Sequence, residues 1–388
     1  PLNLLAAKLF TGTDVFILLA LPFFILAGQI MFECGVAMRV INVADTAVGS
    51  ITGGLAHINV VASMFIAGIS GAAVADTAAL GPLEIPMMIK GGYSKENAAS
   101  VTAISSVIGI IIPPSIPMIM YGLASRTSII RLFLGGMLPG ILIGVSLMTI
   151  NYLIAKRNNW VSDHKFSIRR LINALREGAL ALVMPMIIIG GILGGVFTPT
   201  EAGIVAVIYG IIVAMFIHRE LPIDRFPRIF SATVKQSAAI MFIIASASLY
   251  AWLLTYFRIP MQLFKLMMTL TANKTLLLLM IVGIYVLAGF IMDLGANIII
   301  LVPMFMPLVQ ALGIDKVHFG LITVTSLAIG LITPPVAVCT IVASQIAGVS
   351  ILQVTKAAIP YLIAILIALL LIVFIPGFTL WIPNALMN

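Results

Sequence analysis

The chain has 388 residues, of which 62% are hydrophobic and 9% are charged, and its mean hydropathy is +1.21. Soluble domains carry about a quarter charged residues, so the composition excludes them and predicts a polytopic membrane protein. A spanning helix needs about 20 apolar residues, so the chain can hold on the order of ten spans. The formal net charge of +8 does not indicate nucleic acid, because basic residues in short loops are typical of cytoplasmic membrane edges.

Apolar segments follow one another along the whole chain, at roughly 14–32, 54–70, 76–90, 96–124, 128–155, 179–197, 201–217, 237–257, 274–292, 297–311, 319–347 and 351–376. Four of them form two pairs that are short for spans, and small or polar residues separate each pair, "SGAAVADTA" in one and "MDLGAN" in the other. Two short helices that meet at a polar tip describe a re-entrant hairpin, which is tolerated only inside protein or beside a cavity. The sequence therefore predicts hairpins at 54–90 and 274–311.

Two longer apolar segments carry a double proline, in "GIIIPPSIP" at 109–117 and in "GLITPPVAV" at 330–338. Proline lacks the amide donor and clashes with the preceding turn, so each pair stops a helix. This predicts broken helices at 96–124 and 319–347, with the carbonyls of 109–112 and 330–333 left unpaired. A packing kink is the alternative explanation of each double proline.

Two loops are rich in basic residues, which fall at Lys156, Arg157, Lys165, Arg169, Arg170, Arg176, Arg219, Arg225, Arg228 and Lys235. The positive-inside rule makes both loops cytoplasmic. Counting spans from these loops, the hairpin at 54–90 enters from the cytoplasm and the hairpin at 274–311 enters from outside. The two halves are therefore predicted to be inverted relative to each other.

Three stretches are amphipathic at helical spacing, around 36–50, 168–176 and 225–235. This pattern suits helices that lie in the membrane interface and contact phospholipid. Anchoring of the fold is the simpler interpretation, and regulation by lipid is the alternative.

An internal repeat connects the two halves, since a shift of 221 positions places Pro113-Pro114 on Pro334-Pro335 without a gap. The same shift aligns further glycines and prolines, which chance rarely matches in an apolar sequence, among them Gly68 with Gly289, Pro82 with Pro303, Pro86 with Pro307 and Gly109 with Gly330. The predicted fold is an all-α polytopic membrane protein with inverted-topology repeats, each holding a re-entrant hairpin and a Pro-Pro broken helix. Secondary transporters have this architecture.

In such an architecture the broken helices meet near the membrane midplane, where helix N-termini face anionic substrate groups and unwound carbonyls coordinate sodium. The hairpin tips at 68–72 and 289–293 are expected to supply further oxygens. This predicts two cation sites on either side of a substrate site.

Polar residues near the tips are candidates for the substrate site: Ser70, Asp76, Ser115, Asp293 and Asn297. Charged residues at membrane depth are costly and usually functional, but Asp76, Asp293 and Asn297 could equally cap or hold the tips. A carboxylate repels an acidic substrate, so the hydroxyls of Ser70 and Ser115 are the better hydrogen-bond donors.

Several motifs resemble a known family: "LPFFILAG" at 21–28, "SGAAVADTAALG" at 70–81, "IPPS" at 112–115 and "GGVFTPTEAG" at 194–203. In this order they are similar to the large membrane subunit of tripartite ATP-independent periplasmic (TRAP) transporters, the DctM type. Members of that family usually have one more apolar span before the position of Pro1, which suggests a truncated chain or one cut from a fusion.

The resemblance implies sodium-coupled uptake of a small organic acid, such as sialic acid or a C4-dicarboxylate, across the bacterial inner membrane. It also implies a periplasmic binding protein and a DctQ-type small subunit as partners, with sodium and no organic cofactor. By matching position it suggests one sodium site at Ser70, Gly109, Ile112 and Pro114, and another at Gly289, Gly330, Thr333 and Val336. An elevator motion would divide the chain into scaffold at 1–53, 128–273 and 350–388 and transport halves at 54–127 and 274–349.

Two other functions compete with a transporter. The stretch Gly68–Gly71 reads GxSG, the nucleophile motif of rhomboid-like intramembrane proteases, but a serine nucleophile needs a histidine base nearby. A sodium or anion channel could also hold hairpins. Neither explains two matched backbone breaks, so the sequence favours a transporter, which is not an enzyme.

Overall fold

The computed structural model describes residues 2–158, 160 and 166–387, and Lys165 of the first basic loop lies outside these ranges. Within them the regular elements are helices. The first half contains α1 (Leu2–Thr13), α2 (Ala20–Glu33), α3 (Val36–Val48), α4 (Gly54–Ser70), α5 (Ala73–Lys90), α6 (Lys95–Ser105), α7 (Ile116–Ser125) and α8 (Ile129–Arg157). The second contains α9 (Ile168–Leu193), α10 (Pro199–Ile211), α11 (Phe226–Tyr256), α12 (Ile259–Leu270), α13 (Lys274–Ile291), α14 (Leu294–Ala311), α15 (Lys316–Ala328), α16 (Val338–Ala347), α17 (Ile351–Phe374) and α18 (Gly377–Leu386).

Eight helices in the described part of the chain are long and apolar enough to cross a membrane. They include both α13 and α14, which have 18 residues each, and α14 begins three residues before the apolar segment that the sequence pattern indicated. The protein is therefore an all-helical, multi-pass membrane protein.

Two of the three amphipathic stretches are not separate helices. The stretch at 168–176 begins α9, and the stretch at 225–235 runs into α11, so each basic segment continues into an apolar one. No proline stands between the basic and apolar parts in either described helix, so the helical hydrogen bonds continue. The first stretch does form a helix of its own, α3, because Gly35 has a left-handed φ of +67° that turns the chain after α2.

Both double prolines interrupt their helices. After α6 the chain forms a 3₁₀ turn at Ser106–Ile110, passes Pro113-Pro114, and begins α7 at Ile116. After α15 it forms a shorter 3₁₀ turn at Ile329–Leu331, passes Pro334-Pro335, and begins α16 at Val338. The predicted helix breaks are confirmed.

The two helix pairs, α4–α5 and α13–α14, both pack against the broken helices. α5 packs against α4, α6 and α16, so the second broken helix covers the first helix pair. α14 packs against α7 and α11, so the first broken helix contacts the second pair. This crossed packing brings the tips of both pairs and both helix breaks together.

Candidate functional site

A cavity of about 150 Å³ lies where the two tips meet the two broken helices. One helix of the predicted scaffold, α11, supplies Gln236, Ile240 and Ile243 to its wall. The other lining residues come from the first tip (Gly71, Ala72, Ala73, Val74), the first broken helix (Ile110, Ile116, Pro117, Met120), the second tip (Asp293, Leu294, Gly295) and the second broken helix (Leu331).

Three helices begin at the wall of this cavity. α5 begins at Ala73, α7 at Ile116 and α14 at Leu294, and each of these residues lines the cavity. The first turn of a helix carries N–H groups without helical partners and a partial positive charge. Three such turns around one small cavity favour an anionic group inside it.

The first tip packs directly on the first helix break. The amide N–H of Ile116 donates to the carbonyl oxygen of Gly71 at 3.1 Å. Gly71 has a φ of +63°, and a Cβ at this position would lie 2.6 Å from the carbonyl oxygen of Pro114. Glycine is therefore required here both for the left-handed backbone and for the close approach. The structure thus brings Pro114 against the residue that follows Ser70.

Asp76 joins the same tip to the 3₁₀ turn of the break. The Ser70 hydroxyl donates to its Oδ1, while its Oδ2 faces Gly109 so closely that any Cβ there would collide with the carboxylate. The side chain is fully buried, and Oδ2 accepts no hydrogen bond from the described residues. The N-cap of α5 is Ala72, so the alternative of Asp76 as a helix cap is wrong.

The second tip and break repeat this contact with backbone alone. A Cβ on Gly330 would lie closer than 3.0 Å to three backbone atoms of Gly289. The Ala337 N–H, just after the second double proline, donates to the Gly330 carbonyl oxygen at 3.1 Å and closes the break as a loop. Gly289 and Gly330 are thus in contact, as the predicted second sodium site requires.

Asn297, which the 221-residue shift aligns with Asp76, holds the second tip. Its Nδ2 donates to the carbonyl oxygens of Ala288 at 3.1 Å and Met292 at 3.0 Å. Its Oδ1 is buried and accepts no hydrogen bond within the described chain. Asp76 and Asn297 therefore occupy equivalent positions and each binds the tip that precedes its own helix.

Some carbonyls expected to be free have partners. Ser115 donates its hydroxyl to the Ile110 carbonyl oxygen at 2.6 Å, and Thr340 donates to that of Ile332 at 2.8 Å. Together with the Ala337 bond to Gly330, these contacts correct the prediction that all the carbonyls before the prolines are unpaired. Hydroxyl and amide donors beyond each break replace the donors that proline lacks.

Thr333 and Val336 flank the second double proline, and Ile112 precedes the first. The Thr333 Oγ1 is buried and has no hydrogen-bond partner in the described ranges, and buried hydroxyls rarely stay unpaired. Val336 is partly buried, and the Ile112 N–H donates to the Ile108 carbonyl oxygen at 2.9 Å. Thr333 therefore brings a buried side-chain oxygen that is available to bind an ion.

Ser115 and Asp293 both begin helices. Ser115 is fully buried, and its Oγ accepts from the Met118 N–H at 3.3 Å while donating to Ile110, so its single proton is already used. Asp293 caps α14 through the Gly295 N–H at 2.8 Å, which confirms the capping interpretation, and it also lines the cavity. Ser115 itself is not among the lining residues named for the cavity, but the next two residues, Ile116 and Pro117, line its wall.

Sequence reasoning missed the contribution of α11. Gln236 lines the central cavity and also a smaller one beside Ser70, Ala72 and Gln29 of α2. With Asp293 it supplies the polar side chains among the described lining residues. A glutamine at the start of an apolar span was the available signal, but its neighbour Lys235 suggested a membrane edge.

The chain belongs to the family described as tripartite ATP-independent periplasmic transporter, DctM component, whose model matches residues 1–378. The resemblance seen in the sequence motifs is therefore confirmed. Family membership makes the chain a transporter permease and not an enzyme, so the alternative of a rhomboid-like protease is wrong.

Three relatives illustrate the similarity. A putative TRAP transporter large permease protein of Haemophilus influenzae is 42% identical over 96% of this chain and 88% of the relative. The sialic acid TRAP transporter large permease protein SiaM of Vibrio cholerae is 37% identical over 99% and 90%. The C4-dicarboxylate TRAP transporter large permease protein DctM of Pseudomonas aeruginosa is 38% identical over 98% and 89%.

Proposed function

We propose that this chain is the large permease of a sodium-coupled importer of a small organic acid in the bacterial inner membrane. The observation that carries the proposal is the central cavity, which three helix N-termini and both tip–break contacts surround. Relatives named for sialic acid and for C4-dicarboxylates support an acidic substrate, without deciding between these two.

Two sodium sites are proposed at the tip–break contacts. The first uses Ser70, Gly109, Ile112 and Pro114, where the Asp76 carboxylate adds negative charge beside Ser70 and Gly109. The second uses Gly289, Gly330, Thr333 and Val336. Here the buried Thr333 hydroxyl has no hydrogen-bond partner in the described part of the chain. Carbonyl, hydroxyl and carboxylate oxygens suit a hard cation, so the residues present fit sodium.

The substrate acid is proposed to lie in the central cavity between these sites. Its carboxylate would face the first turns of α5, α7 and α14, and Gln236 and Asp293 would contact its polar groups. Sodium on both sides would offset the charges of Asp76 and Asp293, which otherwise repel an anion. Ser70, Ser115 and Asn297 lie in or beside the tips and would shape the cavity.

An elevator motion is proposed for the parts that form the cavity. The two helix pairs would be re-entrant hairpins that enter from opposite sides and move with the broken helices as one body, in the inverted repeat that the 221-residue shift indicates. α11 and the other predicted scaffold helices would stay fixed. Gln236 would then contact the substrate in one position of the moving body.

Partners follow from the family. The description "periplasmic" implies a periplasmic binding protein that delivers the substrate, and "large permease" in the relatives' names implies a smaller, DctQ-type membrane subunit. The amphipathic α3 would contact phospholipid at the cytoplasmic edge, near the Arg39–Glu220 ion pair.

Uptake into proteoliposomes that contain both partner subunits tests the proposal. We expect accumulation of labelled acid that depends on an inward sodium gradient. The accumulation should persist when potassium is the cation inside the liposomes. Thr333→Val keeps the side-chain shape, removes the unpaired hydroxyl and should raise the sodium concentration for half-maximal uptake about tenfold, the effect of roughly 1.4 kcal/mol. Thr333→Ser is the matched control and should retain wild-type sodium dependence. Uptake that is independent of sodium contradicts the proposed coupling. Equal sodium dependence of Thr333→Val and Thr333→Ser contradicts the proposed second site.

A further inference from the structure

A cavity of about 290 Å³ lies at the base of the second helix pair and shares no lining residue with the central cavity. The ends of α13, α15 and α17 and part of α18 surround it. α13 begins at Lys274 and α17 ends at Phe374, and both helices are long and apolar enough to cross a membrane. The cavity therefore lies at a membrane edge, the outer edge in the orientation that the basic loops predict. Its volume is close to the lower end of the range for ligand sites, about 300 Å³.

Two opposite charges line this cavity without pairing with each other. The Lys274 ammonium donates to the Gly313 carbonyl oxygen at 3.3 Å, which leaves two of its three N–H groups for another partner. The Asp315 carboxylate uses its Oδ1 to cap α15, accepting from the Val317 N–H at 2.7 Å, and its Oδ2 accepts no hydrogen bond from the described residues. No ion pair within the described ranges joins Lys274 to Asp315, yet both charges act on the same neighbour, His318.

His318 is buried in the wall of the cavity and is bound to α18. The Thr379 hydroxyl donates its single proton to the Pro376 carbonyl oxygen at 3.0 Å, so it accepts from the His318 Nδ1–H at 2.8 Å. This bond joins the start of α15, which follows Asp315, to α18. The polar and apolar sides of the cavity are therefore held together by a buried contact.

The apolar side of the cavity comes from helices on either side of the two charges. Leu278 lies one turn into α13, Phe374 ends α17, and Leu380 lies in α18. A ligand that fits this lining has an apolar part and a head with one positive and one negative group. A simple organic acid fits less well, because the Asp315 carboxylate repels it.

The corresponding end of the first half is closed by aromatic rings. The 221-residue shift places Tyr93 on Ile314 and Trp160 on Trp381. Tyr93 and Trp160 stack with their ring centroids 4.0 Å apart. In the second half Ile314 lines the cavity, whereas Trp381 is 67% exposed and is not among the described lining residues. The second half thus lacks this ring stack and leaves space for a bound molecule.

We propose that this cavity binds the head of a zwitterionic phospholipid with a primary ammonium group, that is, a phosphoethanolamine lipid. The phosphate accepts hydrogen bonds from the Lys274 ammonium, and the lipid ammonium donates to the Asp315 Oδ2. The first carbons of the lipid chains lie against Leu278 and Leu380. In the proposed elevator motion α13 and α15 move against α17 and α18, so a bound lipid contacts both parts. That consequence rests on the proposed function, whereas the lipid site itself does not.

The test uses the full-length purified protein in non-ionic detergent after removal of lipid. Phosphatidylethanolamine, phosphatidylcholine and phosphatidylglycerol with identical acyl chains are added separately, and the midpoint of thermal unfolding is followed against lipid concentration. Half-maximal stabilisation should need about tenfold less phosphatidylethanolamine than either other lipid, because a quaternary ammonium cannot donate a hydrogen bond and phosphatidylglycerol has no ammonium. Glycerophosphoethanolamine, which has the same head without acyl chains, should stabilise only weakly. Equal stabilisation by this soluble head overturns the assignment to a lipid.

Two variants test the charges separately. Asp315→Asn keeps a good helix cap and removes the charge, so it should abolish the preference for phosphatidylethanolamine over phosphatidylcholine. Lys274→Gln should weaken the effect of all three phospholipids about tenfold, since each carries a phosphate. Lys316→Gln, beside Asp315 but not among the described lining residues, is the matched control and should behave as the wild type. An equal response of the wild type to the three lipids, or an unchanged preference in Asp315→Asn, overturns this inference and leaves the proposed function intact.

Discussion

Gly330→Ala is the substitution that most directly tests the contact between the second tip and the second helix break. The added Cβ would lie closer than 3.0 Å to the Cα, carbonyl carbon and carbonyl oxygen of Gly289. Because all three are backbone atoms, no rotamer change relieves the overlap, and the tip must move away from the break. Overpacking of this kind costs about 1–3 kcal/mol.

The expected result is a lower midpoint of thermal unfolding, by several degrees, at a fixed scan rate. The displaced carbonyls should also weaken sodium binding. Stabilisation by a ligand at one hundred times its Kd is about 2.7 kcal/mol, so a tenfold loss of affinity should reduce the sodium-induced shift by roughly half. Unfolding of the purified protein, followed with and without sodium, measures both effects.

Gly283→Ala is the matched control, in the same helix as Gly289. A Cβ at Gly283 meets no atom of the described chain within 4 Å, so alanine should leave the unfolding midpoint unchanged or raise it through higher helix propensity. Wild-type stability and an unchanged sodium response in Gly330→Ala would refute the claim that this glycine contact builds the second site.

Three further predictions follow from other contacts. Gln236→Glu should raise the KM for the acid in proteoliposomes at least tenfold by charge repulsion. The control Gln262→Glu, on α12, should leave the KM unchanged. Equal KM values for the two variants would show that Gln236 is not part of the substrate site. A double-mutant cycle of Arg39→Ala and Glu220→Ala should give a coupling of about 0.5–1 kcal/mol in chemical unfolding, because the pair is partly exposed; zero coupling would exclude an anchoring role. The hydrogen bond from Arg39 lowers the pKa of Glu220 in the folded protein below its ordinary 4.5. The stabilisation by this ion pair is therefore fully present above pH 4.5 and is lost as the pH falls through the pKa of the folded state. Plots of stability against pH for the wild type and Glu220→Gln should converge in acid.

Much of the backbone could be predicted because glycine and proline act locally. The double prolines mark both helix breaks, and the glycines at 71 and 330 mark the places where backbone meets backbone. Apolar periodicity was less informative at helix ends. The basic stretches at 168–176 and 225–235 were predicted as separate helices, since amphipathic pattern does not reveal whether a helix continues into an apolar segment.

The hydrogen-bond partners of the carbonyls before the prolines could not be predicted, because the chain must fold back across each break to bring the donors to them. Thr340 reaches back to Ile332, and Ala337 reaches Gly330, through loop geometry that no local pattern specifies. Gln236 was missed for the same reason, since its position on the cavity wall depends on how α11 packs against α14. Tertiary packing decides such contacts.

The tip–break contacts of the two halves use the same backbone plan with different chemistry, which bears on how each of the two proposed sites would bind sodium. Asp76 brings a negative charge to the first tip, whereas Asn297 brings an amide to the second at the equivalent position. A cation at the proposed first site would therefore be balanced by a carboxylate, and one at the proposed second site would be held by dipoles alone. Since dipoles bind a monovalent cation more weakly than a carboxylate does, the second site should have the lower affinity and lose its ion first. Exchange of Asn297 for Asp should remove this difference in affinity, and sodium titrations of the two single-site variants, Ser70→Ala and Thr333→Val, would show whether it does.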